Sequence, residues 1–210
     1  WRPDSMYHDL FTDFDFPLPE TFNDDYEGRR AASENMMEIG GHLNRRDMKQ
    51  VPPAGLSRRD SMRWLAYGDK GQFWTPDDSL QGAALKEWKF QTYIKDYLRC
   101  VAGVDRAVGS VLDYLEESGL AENTLVVYTS DQGFYLGEHG WFDKRWMYEE
   151  SFRMPFLMQC PGSIEPGSVS DELAMNVDFA PTLLDFAGLP VPSSMQGKSF
   201  RAPLVEGTST

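Results

Sequence analysis

The longest periodic run of apolar positions lies over residues 80–118. There Leu85, Trp88, Ile94, Tyr97, Leu98, Val101, Val104, Val108, Val111, Leu112 and Leu115 recur at helical spacing, the pattern of a helix that buries one face. Asp77-Asp78-Ser79 precedes the run as its cap. Gly103 and Gly109 weaken it, so two helices or one bent helix are expected. Ser118-Gly119-Leu120 supplies a Schellman-type stop. The pattern then shortens: Leu125-Val126-Val127-Tyr128-Thr129 predicts a buried strand over 124–129. A second strand is predicted over 154–160, closed by Pro161-Gly162, and a short third over 173–175. Residues 177–187 read as a helix, with Asn176 or Asp178 as cap and Gly188 past its end.

Upstream the periodicity is poor. Residues 1–27 mix Pro17, Pro19, acids and scattered aromatics, which suits an extended segment anchored to a core by its rings. Residues 28–43 carry a short apolar stripe of Ala31, Met36, Met37 and Ile39 and predict a helix. Residues 44–78 read as irregular, an unusually long stretch of the kind that is functional or inserted. The pairs Arg29-Arg30, Arg45-Arg46 and Arg58-Arg59 suit an anionic ligand, or more plainly solvated charge and salt bridges. The expected architecture is one α/β domain, a mostly parallel sheet flanked by helices. Residues 1–78 form its largely irregular part, with one helix, and residues 79–210 the α/β part. Trp1, with no preceding Met, and the polar end at Thr210 suggest a portion of something longer.

Charge and cysteines narrow the chemistry. A net charge of −13 argues against nucleic acid as the main partner, although a local group of cations can still hold a small anion. Cys100 and Cys160 have neither disulfide-framework nor metal spacing and read as two buried thiols. No apolar run reaches membrane-spanning length. His8 reads as a surface or packing residue.

The candidate chemistry gathers after the strand at 124–129. Ligands of open α/β sheets sit beyond the carboxyl ends of strands, where Ser130-Asp131-Gln132-Gly133 stands. Asp131 and Gln132 are oxygen donors suited to Ca²⁺ or Mg²⁺, yet two donors are too few; a turn aspartate before Gly133 fits equally well. Lys144 lies in a loop that can return toward the strand tip and place a compact charge on an oxyanion; a surface lysine is the plainer alternative. His139, between Gly137 and Gly140, suits an acid, a ligand or a loop-locking donor. No Gly-x-Ser-x-Gly, Walker or zinc pattern is present. The residues by themselves lead to an anion site that would take a metal.

The run TLVVYTSDQGFYLGEHGWFDKRWMYEESFRMPF, with YLRCVAGVDRAVGSVLDYLEESGLAE before it and NVDFAPTLLDFAGLPVPSSMQGKSF after it, resembles the C-terminal half of the catalytic domain of formylglycine-dependent sulfatases. Those enzymes belong to the alkaline phosphatase superfamily. LPETFNDDYEGR near the start is similar to the bacterial branch with N-acetylglucosamine-6-sulfatase-like enzymes. The resemblance implies Asp131 and Gln132 as calcium ligands, Lys144 as the sulfate contact and His139 as loop support more than catalytic acid. It also implies a nucleophile in Cys/Ser-x-Pro/Ala-Ser-Arg, converted to formylglycine. Neither Cys100, followed by Val-Ala-Gly, nor Cys160, followed by Pro-Gly-Ser, fits that pattern. The nucleophile, the leaving-group histidine and an aspartate pair for the metal are therefore expected upstream, in the N-terminal part of the same enzyme. The implied function is hydrolysis of sulfate esters on a sulfated sugar, in the periplasm or outside the cell, with the 210 residues inactive alone. A phosphate mono- or diester hydrolase and a non-catalytic glycan-binding homologue are the alternatives.

Overall fold

The computed structural model describes residues 2–66 and 79–206. In chain order the helices are α1 (Arg30–Ser33), α2 (Arg58–Ala66), α3 (Gly82–Glu117), α4 (Glu149–Phe152), α5 (Asn176–Phe186) and α6 (Arg201–Glu206). The strands are β1 (Val126–Thr129), β2 (Tyr135–Leu136), β3 (Phe142–Asp143) and β4 (Phe156–Gln159). They form two compact units. The first holds Trp1–Gly109 and Gly133–Phe152, the second Ser110–Gln132 and Arg153–Thr210.

α3 is a single helix of 36 residues, so of the two alternatives that its glycines left, two helices or one, the structure takes one. Two glycines cost about 1 kcal/mol each, too little to interrupt so long a run of good helix formers. The stop is as expected: Gly119 takes φ +68°, Leu120 N–H donates to the Leu115 carbonyl and Gly119 N–H to that of Glu116. Asp77 and Asp78, assigned to its cap, lie outside the described residues, and the helix starts at Gly82.

In the first unit Phe22, Ile39, Leu43, Met48 and Phe142 pack with Phe90, Tyr93 and Ile94 of α3. The N-terminal segment is strapped to the same helix by polar contacts. Gln91 grips the Phe16 backbone through its N–H (3.0 Å) and its carbonyl (2.8 Å), and Lys86 Nζ donates to the Phe22 carbonyl at 2.7 Å. The helix expected over 28–43 is only the single turn α1. Beyond it Glu38 bridges Trp141 antiparallel, with Ile39 N–H on the Gly140 carbonyl and Phe142 N–H on that of Met37. Pairing beside β3 outcompetes helix here because it carries Met37 and Ile39 into the core, at 1% and 0% exposure. The irregular reading of 44–78 likewise missed α2.

In the second unit β1 pairs antiparallel with β4, Val126 opposite Gln159 and Thr129 opposite Phe156. β2 and β3 are also antiparallel. The α/β class stands, but the ladders among the described residues are not the parallel ones expected. Parallel neighbours need a crossover of a dozen or more residues, usually a helix. The stretch between Thr129 and Phe156 is long enough for that, but it runs through the β2–β3 hairpin and the four-residue α4 and holds no crossover helix. β1 is also less buried than its apolar run implied, with Val127 36% and Tyr128 39% exposed. No strand forms at 173–175.

α5 forms where it was predicted, but its N-cap is Met175 and not Asn176 or Asp178; Asp178 lies in the first turn and bonds back to the cap backbone. That carboxylate accepts from the backbone N–H of Met175 (3.0 Å) and of Lys198 (2.8 Å). Pro181 lacks the N–H that would bond the Val177 carbonyl. Gly197 approaches that carbonyl so closely that a β-carbon would lie 2.0 Å from it. Phe156, Phe179 and Phe200 close this unit, with ring centroids 5.1 to 6.3 Å apart.

Gly137, between β2 and β3, has φ +111°, and a β-carbon there would lie 2.6 Å from Phe90 Cε2. Gly137→Ala should cost ~2–4 kcal/mol in denaturant unfolding, from overpacking and a forbidden backbone conformation together. Gly119→Ala, which meets nothing within 4 Å, should cost only the conformational part, ~1–2 kcal/mol.

Candidate active site

Lys144 directly follows β3, on an exposed loop, and its ammonium makes no hydrogen bond or ion pair among the described residues. The neighbouring cation is committed, since Arg145 Nη2 lies 3.3 Å from Asp143 Oδ2. The hairpin beneath is rigidly built. Trp141 and Tyr135 are wholly buried with ring centroids 5.3 Å apart. Tyr93 Oη on α3 donates to the Tyr135 carbonyl at 2.6 Å.

His139 forms the turn of this hairpin with φ +56°. Its N–H donates to Thr21 Oγ1 at 3.0 Å, and its carbonyl accepts from Tyr26 Oη at 2.6 Å. Nδ1 lies 2.7 Å from Asp24 Oδ2. A carboxylate only accepts, so Nδ1 carries the hydrogen. Nε2 faces Glu150 Oε1 at 3.7 Å, and the ring lies 5.3 Å from that of Trp141 and 5.0 Å from that of Tyr148. With the side chain 13% exposed, the imidazole is committed to its neighbours.

Asp24 carries most of this lock. Besides His139 it accepts from Arg29 Nη2 at 2.5 Å and from the Tyr26 N–H at 3.0 Å. The Arg29 guanidinium holds its carboxyl well below the usual carboxylate range, with His139 and Tyr26 adding to the effect against desolvation. Burial pushes the Tyr26 hydroxyl up to about 12. Reading the sequence did not single out Asp24, because it meets His139 across 115 positions and no local spacing announces that. Of the arginine pairs weighed for an anion, Arg29 serves Asp24 and Arg30 pairs with Glu34 at 2.8 Å.

Asp131 and Gln132 belong to the second unit and stand just past the end of β1, as predicted. The Asp131 carboxylate is exposed and among the described residues accepts only a 3.3 Å bond from Ser130 Oγ, while its carbonyl accepts from Asn176 Nδ2 at 2.8 Å. Hard oxygen donors of this kind suit calcium or magnesium, which require six or more. Among the described residues no three His, Cys, Asp or Glu side chains gather as a metal site. The two donors fit such an ion without completing its shell. Cys100 and Cys160 form no disulfide among the described residues and are half-buried, not the fully buried thiols expected.

Residues 137–210 match the model of the N-sulphoglucosamine sulphohydrolase C-terminal family. An N-acetylglucosamine-6-O-sulfatase of Bacteroides thetaiotaomicron is 44% identical over 98% of this chain, which spans 40% of that relative's length. The chain belongs to the sulfatase family. A solved structure described as holding its substrate, D-glucosamine-2-N,6-O-disulfate, superposes on this sulfatase chain with a TM-score of 0.85. It is 42% identical, over 98% of this chain and 45% of the other. A phosphonate monoester hydrolase from Silicibacter pomeroyi, 24% identical with a TM-score of 0.56 over 87% of this chain and 34% of its own, shares the alkaline phosphatase-like fold.

The sulfatase hairpin should therefore be sensitive to Asp24. Because its folded pKa is depressed, its stabilising effect is complete above the ordinary value near ~4 and is lost as pH falls through the folded value. Asp24→Asn should cost ~1.5–3 kcal/mol at pH 7 in urea unfolding, and the gap to wild type should shrink in acid. A gap that does not change with pH would mean that the charge of Asp24 is not what holds the turn.

Proposed function

We propose that this chain is the C-terminal portion of a sulfuric ester hydrolase that removes sulfate from a sulfated sugar, and that Lys144 contacts the sulfate. The observation that carries the reading is the ammonium of Lys144, exposed and unpaired among the described residues, directly after a hairpin whose interior is locked. Support for the sugar comes from the 44% identical relative, named for N-acetylglucosamine-6-O-sulfate chemistry, and from the structure with disulfated glucosamine. The chain spans less than half of each, so the activity is that of the complete gene product.

In this reading the sulfuryl oxygens gain negative charge on the way to the transition state, and a point charge fixed beside them lowers the barrier. Lys144 supplies that charge as a compact donor on a flexible stem, and the rigid β3 beneath fixes where the stem begins. Asp131 and Gln132 would hold Ca²⁺ or Mg²⁺ together with donors outside this sequence, and the ion would neutralise further charge on the sulfate. His139 is a supporting residue, since its Nδ1 hydrogen is engaged by Asp24. The formylglycine nucleophile and the acid for the leaving alcohol belong to the part of the enzyme outside this sequence. The same reading puts the enzyme in the periplasm or outside the cell.

In the full gene product, Lys144→Ala should lower kcat/KM on glucosamine 6-sulfate by at least ~100-fold, a loss typical of an electrostatic contact to the reacting group, with the melting temperature unchanged. Wild-type turnover in that variant would sink the assignment. Asp131→Ala should remove both activity and bound calcium by metal analysis. A wild-type preference for phosphate over sulfate esters would move the protein to the phosphohydrolases of the superfamily.

A further inference from the structure

The loop after β3 contains a residue that its backbone does not welcome. Trp146 has φ +69° and is 43% exposed. Left-handed backbone suits glycine, asparagine and aspartate, and for a bulky aromatic it is an outlier that something else must maintain. Asp143, three positions earlier, is also left-handed at φ +73°, but aspartate tolerates that region. Ring stacking does not account for the indole. Among the described residues Trp146 takes part in none of the ring contacts that bind Trp141, Tyr148 and His139 together.

Both ends of the loop are fixed. Phe142 is 9% exposed in the core. On the far side the Tyr148 ring stands edge-on to Trp141 at 5.4 Å, and the Ser151 carbonyl accepts from Gly133 N–H at 2.8 Å. Between these anchors Lys144, Arg145, Trp146 and Met147 are all exposed. Arg145 is drawn back to Asp143, and of the remaining three Lys144 and Trp146 are the cation and the aromatic ring that the turn presents. Their pairing has a chemical sense. A sulfated hexosamine presents an anion on one substituent and a face of C–H bonds on its ring. An ammonium suits the first, and the flat, electron-rich face of an indole suits the second. Residues two apart in a turn have Cα atoms roughly 5–7 Å from each other, a span comparable with a pyranose ring and its exocyclic ester.

We propose that Trp146 is a specificity-determining residue, an exposed indole on which the sugar ring of the substrate stacks while its sulfate meets Lys144. This rests on Lys144 being the sulfate contact, and it adds the part of the site that recognises the sugar. The left-handed backbone at Trp146 is then retained because it presents the ring to the ligand.

The test uses the full gene product, with N-acetylglucosamine 6-sulfate as substrate and inorganic sulfate as competitive inhibitor. Trp146→Asn keeps the left-handed turn without strain, so it should melt at the wild-type temperature or above it. Its KM for the sugar sulfate should rise about tenfold, as for loss of one aromatic contact, with kcat within about twofold and inhibition by inorganic sulfate unchanged. Trp146→Phe should recover most of the affinity. A wild-type KM in Trp146→Asn overturns the proposal. So does a joint loss of melting temperature, kcat and sulfate inhibition, which would mean that the indole packs against another part of the protein. Lys144→Ala separates the two readings: if it abolishes turnover and Trp146→Asn leaves KM untouched, only the stacking role falls. If the wild-type protein hydrolyses no sulfate ester, the proposed function falls and the stacking role with it.

Discussion

The carboxylate of Asp24 is the tie on which the site hairpin depends. One oxygen holds the His139 ring and the other holds Arg29 and a backbone N–H, so a segment near the start of the chain is clamped to a turn 115 positions away. Such contacts are strong because the acceptor is charged, and with Arg29 the donor as well, and because the surrounding rings of Trp141, Tyr148 and Tyr26 exclude water. Remove the clamp and little else specifies the turn, since β2 and β3 are two residues each and an isolated pair of strands is marginal in water.

The hairpin tolerates unfavourable backbone because its interior is over-determined. Gly137, His139, Gly140, Asp143 and Trp146 all have positive φ within ten residues. The conformations are held by Trp141 and Tyr135 at zero exposure, by the Tyr93 hydroxyl and by the chain around Ile39, which adds backbone bonds along β3. Rigid burial below and an exposed, strained loop above is the usual division of labour at functional sites. It also makes a chain of net charge −13 compatible with the proposed anionic substrate, because in that reading an anion meets the Lys144 ammonium locally and not the distant acids.

The second unit is organised differently. Asp178 ties the start of α5 to the segment around Lys198, Gly197 lies against the carbonyl that Pro181 frees, and three phenylalanines join β4, α5 and the approach to α6. Asn176 at the start of the same helix donates to the Asp131 carbonyl. The helix thereby fixes the backbone of the proposed metal ligand while leaving its carboxylate oxygens exposed.

Local rules were enough for the parts of this protein in which neighbours in sequence are neighbours in space. The 3.6-residue period made α3 legible, glycine with its left-handed backbone set the ends of α3 and α5, and short apolar runs marked β1 and β4. The positions of Asp131 and Gln132 past a strand and of Lys144 in a loop followed from the same reading, and the family motifs supplied what the residues left open. Tertiary structure decided what depends on distant partners. Residues 37–39 gave up a helical pattern to pair beside β3, and β1 and β4 paired antiparallel across a connection that holds the β2–β3 hairpin and no crossover helix. His139 became a lock because Asp24 reached it, and Trp146 acquired its significance only from a backbone angle. A carboxylate's partner 115 residues away and the sign of φ at a tryptophan leave no trace in local pattern, because both are set by packing that forms only when the whole unit folds.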